Sequence, residues 1–451
     1  MTFNQDTIAA QSTAAGKGAI HIIRLSGSDA IPVCDKIFKA KKSLAETPSR
    51  YATFGKIYTD KQLIDEVLVT VFRAPESYTG EDMVEISCHG NQYIAAQILE
   101  NILQFARIAE PGEFTQRAFI NNKLDLTQAE AVGDLLSAST RFAHKIAIDQ
   151  MDGRLKQKIS SILEIITKIR IGLELEIDFP EDYQDSICIE EISLEISRLK
   201  TDLEMLVASG RDGVILRDGY RVSLIGSPNV GKSSIFNALL ESERAIVTPV
   251  PGTTRDYLEE AIALSGFLII FYDTAGLRDT EDPLEKMGIA RSMNIIEKSD
   301  LVIYVTDSQQ QDSEIDKLQE VVKKKKLLKV INKTDIISSS LINKYLQQEY
   351  IPCSTVLKGG LEKLKAAILQ EINIRPEEFD IPPLTNTRQI AAARKALEEL
   401  QRFEDTLKSE GSVEFLAFDL LQVSKALEEI TGVITTDDIL DKIFSSYCIG
   451  K

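Results

Sequence analysis

The feature that most constrains the fold of this chain is a glycine-rich loop at residues 226–233, Gly226-Ser-Pro-Asn-Val-Gly-Lys232-Ser233. In such a loop, successive backbone N–H groups face an anion, and the helix that follows adds its positive N-terminal end. The apolar run at residues 221–225 predicts a buried strand before the loop, and apolar residues after it predict a helix. We therefore expect a phosphate-binding loop at the end of a strand in a parallel α/β sheet.

The side chains of this loop suit a nucleotide bound with Mg²⁺. Lys232 is expected to reach the β- and γ-phosphates, and the Ser233 hydroxyl is expected to bind Mg²⁺. The loop residues predicted to contact the nucleotide are Asn229, Val230, Gly231, Lys232, Ser233 and Ser234.

A second motif, Asn332-Lys333-Thr-Asp335, follows the apolar run at residues 328–331. The Asp335 carboxylate can accept two hydrogen bonds from guanine, at N1–H and at the exocyclic amine. Adenine offers neither donor and would leave a desolvated carboxylate unpaired, so the motif predicts selection of GTP over ATP. Ser354 is expected near the guanine oxygen, although an ordinary turn after a strand explains Ser354 equally well.

Two further segments lie between these motifs. Asp273-Thr-Ala-Gly276 follows an apolar run, where an acidic residue holds Mg²⁺ through water and a glycine N–H contacts the γ-phosphate. Gly252-Thr-Thr254 precedes it and is a candidate switch whose threonine completes the Mg²⁺ shell.

Leu277 stands where small signalling GTPases have a glutamine that orients the attacking water. A leucine side chain cannot do this, so another group must hold the water, or hydrolysis needs outside help. The sequence alone does not choose among the nearby carboxylates of Asp279, Glu281, Asp282 and Glu285.

The pattern along the chain predicts an α/β multidomain protein. Residues 1–120 mix short β-rich runs with turns and predict a small α/β domain. Residues 121–214 and 379–451 have helical periodicity, and Thr127 and Glu130 have the spacing of a capping box at a helix start. Between Ile189 and Leu206, apolar residues spaced by three and four predict a narrow seam that packs on another helix. Residues 215–378 alternate helices with strands predicted at residues 221–225, 267–272, 301–305 and 328–331. This pattern predicts a P-loop GTPase domain inserted between the halves of a discontinuous helical domain.

Composition limits the function classes. The formal net charge of −17 disfavours broad contact with nucleic acid, so any RNA contact is expected to be local or shared with a partner. No apolar run is long enough to span a membrane, and five scattered cysteines fit a reducing cytoplasm. A regulatory GTPase in ribosome assembly is the main alternative to an enzyme, but no basic RNA-binding stripe accompanies the motifs. A plain interaction switch, with the helices as a scaffold, is a third possibility.

Taken together, these segments resemble the MnmE/TrmE family of bacterial and organellar tRNA-modification GTPases, over essentially the full chain. The most specific similarities are the loop at 226–233, residues 252–256 and 273–277, Pro111-Gly-Glu-Phe114, residues 122–130 and Cys448-Ile-Gly-Lys451. Asn91, Thr355 and Tyr447 depart from the usual family pattern without removing a catalytic group.

The resemblance implies a small N-terminal α/β domain that binds 5-formyltetrahydrofolate or a related one-carbon folate and forms a homodimer. It implies a flavoprotein partner (MnmG, also called GidA) in a heterotetramer. Together they add a carboxymethylaminomethyl or aminomethyl group to C5 of the wobble uridine of certain tRNAs. It also implies potassium-dependent GTP hydrolysis, in which K⁺ supplies the positive charge that an arginine finger supplies elsewhere.

The resemblance also assigns residues. It implies Mg²⁺ on Ser233 and Thr254, and K⁺ on Asn229, Thr253 and the backbone oxygens of Thr248 and Val250. It selects Glu285 to orient the water and Cys448 as a chemical thiol, and it places folate on Arg24, Glu85, Lys123 and Lys451. The remaining implied GTP contacts are Thr248, Pro249, Val250, Pro251, Gly252, Thr253, Thr254, Asp273, Thr274, Ala275 and Gly276.

Overall fold

The computed structural model of this chain describes residues 6–59, 62–179, 189–242, 244–246, 259–272, 295–307, 325–409 and 411–451. The described residues divide into two compact units. The first unit is drawn from residues 1–133, 150–187 and 402–451, and the second from residues 134–149 and 188–401.

The described strands, in chain order, are β1 (Ile8–Gln11), β2 (Ile20–Ser26), β3 (Phe38–Lys39), β4 (Tyr51–Thr59), β5 (Gln62–Phe72), β6 (Met83–His89), β7 (Arg107–Ile108), β8 (Tyr220–Ile225), β9 (Arg244–Ile246), β10 (Glu259–Leu264), β11 (Phe267–Tyr272), β12 (Leu301–Thr306), β13 (Lys326–Ile331) and β14 (Tyr350–Pro352). The described helices are α1 (Ala30–Ile37), α2 (Gln92–Ile102), α3 (Glu113–Ile120), α4 (Leu126–Ser137), α5 (Arg141–Met151), α6 (Arg154–Asp178), α7 (Ile189–Asp218), α8 (Lys232–Ser242), α9 (Ser339–Gln347), α10 (Glu362–Ile372), α11 (Thr387–Lys408), α12 (Val413–Thr431) and α13 (Asp437–Phe444).

The first unit contains a mainly antiparallel sheet in the order β3-β4-β5-β6-β2-β1-β7. Alternate residues of its strands point into a core that α1 and α2 complete, with Ile23, Val69 and Ile86 fully buried. Helices α6 and α12 pack together in the same unit through buried aliphatic residues spaced by three and four.

The start of α4 differs from its predicted form. The Thr127/Glu130 spacing predicts a cap at Thr127, but Thr127 is buried inside the helix and its hydroxyl donates to Asp125 Oδ1 (2.6 Å). Asp125 instead accepts from the Gln128 N–H (3.0 Å), and the Gln128 side chain accepts from the Asp125 N–H (3.1 Å). The capping box was therefore predicted two residues too late, because two overlapping polar patterns have the same spacing.

The second unit contains a sheet in the order β14-β13-β12-β8-β11-β10-β9. Strands β14, β13, β12, β8 and β11 run parallel, and β10 and β9 extend the sheet antiparallel. The predicted strands at residues 221–225, 267–272, 301–305 and 328–331 are confirmed within two residues. Since β8, β12 and β13 are parallel neighbours, the residues after their carboxyl ends meet at one edge of the sheet.

Helix α7 also belongs to the second unit. Its predicted seam is confirmed at Ile196, Leu199, Leu203 and Leu206, which are buried, whereas Ile189 at its start is 62% exposed. No helix in the described ranges is long and apolar enough to cross a membrane.

Candidate nucleotide-binding site and a second polar site

The loop at residues 226–233 joins β8 to α8 and requires glycine at two positions. Gly226 and Gly231 have φ of 145° and 96°, values that residues with a Cβ rarely adopt. A Cβ on Gly226 would lie 2.1 Å from the Val305 carbonyl oxygen, and one on Gly231 would lie 2.2 Å from Asn332 Nδ2. Backbone conformation and lack of space therefore both exclude larger residues.

Residues of the second motif bind directly to this loop. Asn332 is buried, and its side-chain amide donates to the Val230 carbonyl (2.9 Å). The Lys333 ammonium donates to the Asn229 carbonyl (2.8 Å) and to Asp307 Oδ2 (2.8 Å). The predicted guanine motif thus also fixes the backbone of the phosphate loop.

Asp307 was not predicted as a functional residue. It directly follows β12, and its side chain is only 10% exposed at the ion pair with Lys333. The signal that could have found it is its position, since it is an acidic residue at the carboxyl end of a buried strand next to β8 and β13.

Ser354 orients the predicted guanine-binding carboxylate. It is 1% exposed, and its hydroxyl donates to Asp335 Oδ1 (2.7 Å). The same hydroxyl accepts from the N–H groups of Val356 (3.2 Å) and Leu357 (3.3 Å). Asp335 itself is exposed, so the serine holds a carboxylate that a ligand can reach.

The side chains predicted to bind phosphate and Mg²⁺ lie at the start of α8. The Lys232 ammonium donates to the carbonyls of Gly226 (2.7 Å) and Ser227 (2.8 Å), so it spans the loop. Ser233 and Ser234 are exposed in the first helical turn, and the Asn229 side chain is exposed at φ 63°. Hydroxyl and amide oxygens of this kind are suitable donors to hard cations.

Several predicted site residues lie outside the described residues, and their roles stay predictions. They are Thr248, Pro249, Val250, Pro251, Gly252, Thr253, Thr254, Asp273, Thr274, Ala275, Gly276, Leu277 and Glu285. Within the described ranges, no group of three or more His, Cys, Asp or Glu side chains has the arrangement of a metal site.

A second polar site lies in the first unit and brings together three of the four residues predicted to bind folate. Arg24 on β2 faces Glu85 on β6, and its Nη2 lies 2.8 Å from Glu85 Oε1. The Arg24 guanidinium carbon is 5.6 Å from the ring centres of both Tyr78 and Phe114. Burial lowers the pKa of Lys451, as does the positive charge of Arg24, while Glu85 and Cys448 act in the opposite direction.

Residues 448–451 reach this site through backbone contacts. Arg24 Nη1 donates to the Gly450 carbonyl (3.3 Å), and the Phe114 N–H donates to the Lys451 carbonyl oxygen (3.2 Å). Gly450 has φ 95°, and a Cβ there would lie 2.5 Å from the Gln11 carbonyl oxygen. Cys448 is exposed beside this segment.

Lys123, the fourth predicted residue, is placed differently. Its ammonium donates to the Pro75 carbonyl (3.0 Å), on the loop that also carries Tyr78. Among the contacts of the described residues, none joins Lys123 to Arg24 or Glu85. Lys123 therefore holds the loop beside the site.

Comparison with known proteins identifies family models that match most of this chain. The model of the MnmE helical domain matches residues 126–448, and that of the N-terminus of the GTP-binding protein TrmE matches residues 7–123. The first match spans the P-loop sheet as well as the helices on either side of it in sequence. The expected α/β multidomain fold, with a P-loop domain inserted in a discontinuous helical domain, is therefore confirmed.

Full-length relatives agree with these matches. A protein of Aquifex aeolicus (strain VF5) named tRNA modification GTPase MnmE is 40% identical over 99% of this chain and 100% of its own length. Proteins with the same name from Christiangramia forsetii and Streptococcus thermophilus are 39% and 40% identical, over 99% of this chain and 99% and 98% of their own lengths. The chain belongs to the MnmE family, also called TrmE.

Proposed function

We propose that this chain is a GTP hydrolase that acts in tRNA modification in the cytoplasm. The observation that carries the proposal is the connected set Asn229, Lys333, Asp335 and Ser354, which joins a phosphate loop to a guanine-selective carboxylate. Membership of a family whose curated members are named tRNA modification GTPases supplies the reaction class.

The test is the nucleoside content of tRNA from cells with and without the gene. Deletion should remove the side chain on C5 of the wobble uridine, as measured by mass spectrometry. The wild-type gene should restore it, and a gene encoding Asp335→Asn should not, because the variant loses the carboxylate that selects guanine. Unchanged nucleosides after deletion would contradict the proposal.

The polar site around Arg24 is proposed to bind a one-carbon folate such as 5-formyltetrahydrofolate. Cationic groups on Arg24 and Lys451 fit the carboxylates of a folate, and Glu85 can accept from the N–H groups of its ring system. A bound folate would supply the one-carbon unit. This chain would supply the charges that orient the folate and an exposed thiol on Cys448, with Lys123 holding the neighbouring loop.

Calorimetry with 5-formyltetrahydrofolate tests this assignment. Arg24→Ala should abolish measurable binding, because it leaves Glu85 without its ion-pair partner and removes a cation from the site. Arg50→Ala is the matched control, since Arg50 pairs with Glu76 on the surface, with side chains 64% and 71% exposed. Equal affinities in wild type and Arg24→Ala would refute the assignment.

Mg²⁺ is proposed to bind Ser233 and Thr254, and K⁺ to bind Asn229, Thr253 and the backbone oxygens of Thr248 and Val250. K⁺ would add positive charge where the transition state develops negative charge. The exposed hydroxyl and amide of Ser233 and Asn229 support both assignments. GTP turnover should fall strongly when sodium replaces potassium, and equal rates in both salts would exclude the potassium site.

Glu285 is proposed to orient the attacking water. The variant Glu285→Ala should bind GTP with unchanged affinity and lose hydrolysis, since only the transition-state interaction is removed. Glu281→Ala is the matched control. Retained turnover in the Glu285 variant would move the role to a neighbouring carboxylate.

The partners of the enzyme are proposed to be a second copy of this chain, the flavoprotein MnmG (GidA) and tRNA. The full-length match to the MnmE family supports this assembly. Light scattering of the purified chain, alone and mixed with the flavoprotein, should give a homodimer and a heterotetramer. A monomer that does not change mass in the mixture would contradict the assembly.

A further inference from the structure

A cavity in the second unit lies away from the nucleotide loop. It has a volume of about 400 Å³ and is lined by α7, α11 and the amino ends of β8 and β12. Arg221, at the start of β8, lines the cavity, whereas the phosphate loop follows the other end of the same strand. Five strand residues separate the two places by about 17 Å, so this cavity is not part of the nucleotide site.

Three arginines line this cavity, namely Arg211 on α7, Arg221 on β8 and Arg394 on α11. No acidic side chain among the described residues forms an ion pair with any of them. Elsewhere in the described ranges, Arg24, Arg107, Arg117 and Arg217 all pair with carboxylates. Arg211 and Arg394 are exposed and Arg221 is half-buried, so a solute can reach them. In a chain of net charge −17, three arginines on one cavity wall without such partners form a local positive patch that suits an anion.

Asp300 is the single carboxylate among the residues that line the cavity, and one of its oxygens already accepts a hydrogen bond. Asp300 Oδ2 accepts the Arg221 backbone N–H (2.9 Å), and the Asp300 N–H donates to the Arg221 carbonyl (2.8 Å). These bonds fix Asp300 in place and leave Oδ1 for a hydroxyl donor. The rest of the wall is largely apolar, with Val214 and Ile390 on opposite helices.

Tyr220 carries a buried hydroxyl and lies between Gly219 and Arg221 in the chain, but it does not itself line the cavity. The Tyr220 hydroxyl is buried, and no protein atom in the described structure forms a hydrogen bond with it. Burial raises its pKa, and the negative charges of Asp300 and Glu371 add to this effect while Arg211 opposes it. The hydroxyl thus stays protonated, and it lies close enough to Asp300 and Arg211 on the cavity wall for their charges to act on it.

We propose that this cavity binds a hydroxyl-bearing phosphate ester, with Arg211, Arg221 and Arg394 around the phosphate and Asp300 facing a hydroxyl. A volume near 400 Å³ lies in the range of small-molecule sites, roughly 300–1,000 Å³. Arginine guanidinium groups match phosphate oxygens in both charge and geometry. The same chemistry is offered by a free sugar phosphate and by the ribose phosphate backbone of RNA.

Calorimetry on the full chain saturated with GDP tests the proposal, because GDP fills the phosphate loop. Ribose 5-phosphate should bind and neutral ribose should not. The double variant Arg211→Gln/Arg394→Gln should weaken binding about tenfold or more. The control is Arg198→Gln, which removes a charge from α7 at an exposed pair with Glu195, outside the cavity. Circular dichroism and thermal melting establish that each variant is folded.

A second titration, with RNA, distinguishes the two sources of phosphate. An unmodified tRNA transcript is titrated into the wild type, the double variant and Arg198→Gln, again with GDP bound. Loss of RNA affinity confined to the double variant, without binding of ribose 5-phosphate, assigns the phosphate to RNA. If neither probe distinguishes the double variant from Arg198→Gln, the proposed site is overturned, whether or not the chain modifies tRNA.

Discussion

Lys333 shows how single residues at the nucleotide site depend on neighbours from other strands. Its own motif is readable from the sequence because the motif residues are adjacent in the chain. Its partner Asp307 comes from the end of another strand, and the Ser354 bond to Asp335 also crosses between strands. The local phosphate loop and guanine motif could therefore be predicted, whereas the residues that orient them follow only from the order of strands in the sheet.

Substitution of Asp307 by asparagine should weaken GTP binding about tenfold. The change removes the charge that holds Lys333 against the Asn229 carbonyl, and a charged hydrogen bond contributes about 1.5–3 kcal/mol. Fluorescent-nucleotide titration measures the dissociation constant. Glu378→Gln is the control, since its pair with Arg375 is 67–73% exposed and should matter little. An unchanged constant in Asp307→Asn would show that Lys333 keeps its place without the carboxylate.

At the scale of elements, short-range patterns located the strands of the second sheet and the seam of α7, because alternation and helical spacing reflect burial directly. The cap at the start of α4 was predicted two residues too late, because Asp125 and Gln128 have the same spacing as Thr127 and Glu130. The site formed by β2, β6 and residues 448–451 had no local signal, and only family resemblance linked Arg24 to Lys451. The structure then shows what holds α3 beside that site, namely Glu113 between Arg107 and Arg117.

Glu113→Gln should destabilise the first unit by about 1.5–3 kcal/mol at neutral pH, because Arg107 and Arg117 lose a charged hydrogen-bond partner while Arg117 keeps Asp6 and Glu81. Desolvation by burial raises the pKa of Glu113, but hydrogen bonds from Arg107, the Glu110 N–H and Arg117 outweigh it and give a net lowering. A lowered pKa stabilises the fold above the ordinary carboxyl range, and this contribution is lost as pH falls through the folded-state pKa.

Urea unfolding at several pH values measures this effect. The difference in free energy of unfolding between wild type and Glu113→Gln should become smaller in acid. The wild type loses the stabilisation from the Glu113 carboxylate as that group is protonated, and the variant never had it. Lys56→Gln, at an exposed ion pair with Glu66, is the control. A gap that is constant with pH would assign the loss to packing instead of charge.

At the scale of the whole molecule, each of the two units has a hydrophobic core of its own. One core is built on the antiparallel sheet with α1 and α2, and the other on the parallel sheet with α8 and α10. The α/β multidomain class could be predicted because strand-rich and helical stretches alternate along the sequence. The sequence could not predict to which unit each segment belongs. Residues 134–149 belong to the second unit, although the segments on both sides of them belong to the first.

Calorimetric melting should resolve two transitions, and GDP should raise the midpoint of one. A ligand that binds only the folded state adds about 2.7 kcal/mol at one hundred times its dissociation constant. The residues predicted to contact the nucleotide all belong to the second unit. Asp335→Asn should cancel the shift, and an equal shift of both transitions would show that the units unfold together.

The bond between Arg24 and the Gly450 carbonyl joins residues 426 positions apart in sequence. During translation, Arg24 and Glu85 leave the ribosome long before residues 448–451 are made, and the entire GTPase unit is synthesised in between. A nascent chain can pair Arg24 with Glu85 early, but it lacks the segment that closes this site. The polar site is therefore completed only after residues 448–451 are made, so products truncated before Cys448 should carry a folded sheet in which Arg24 lacks its bond to the Gly450 carbonyl.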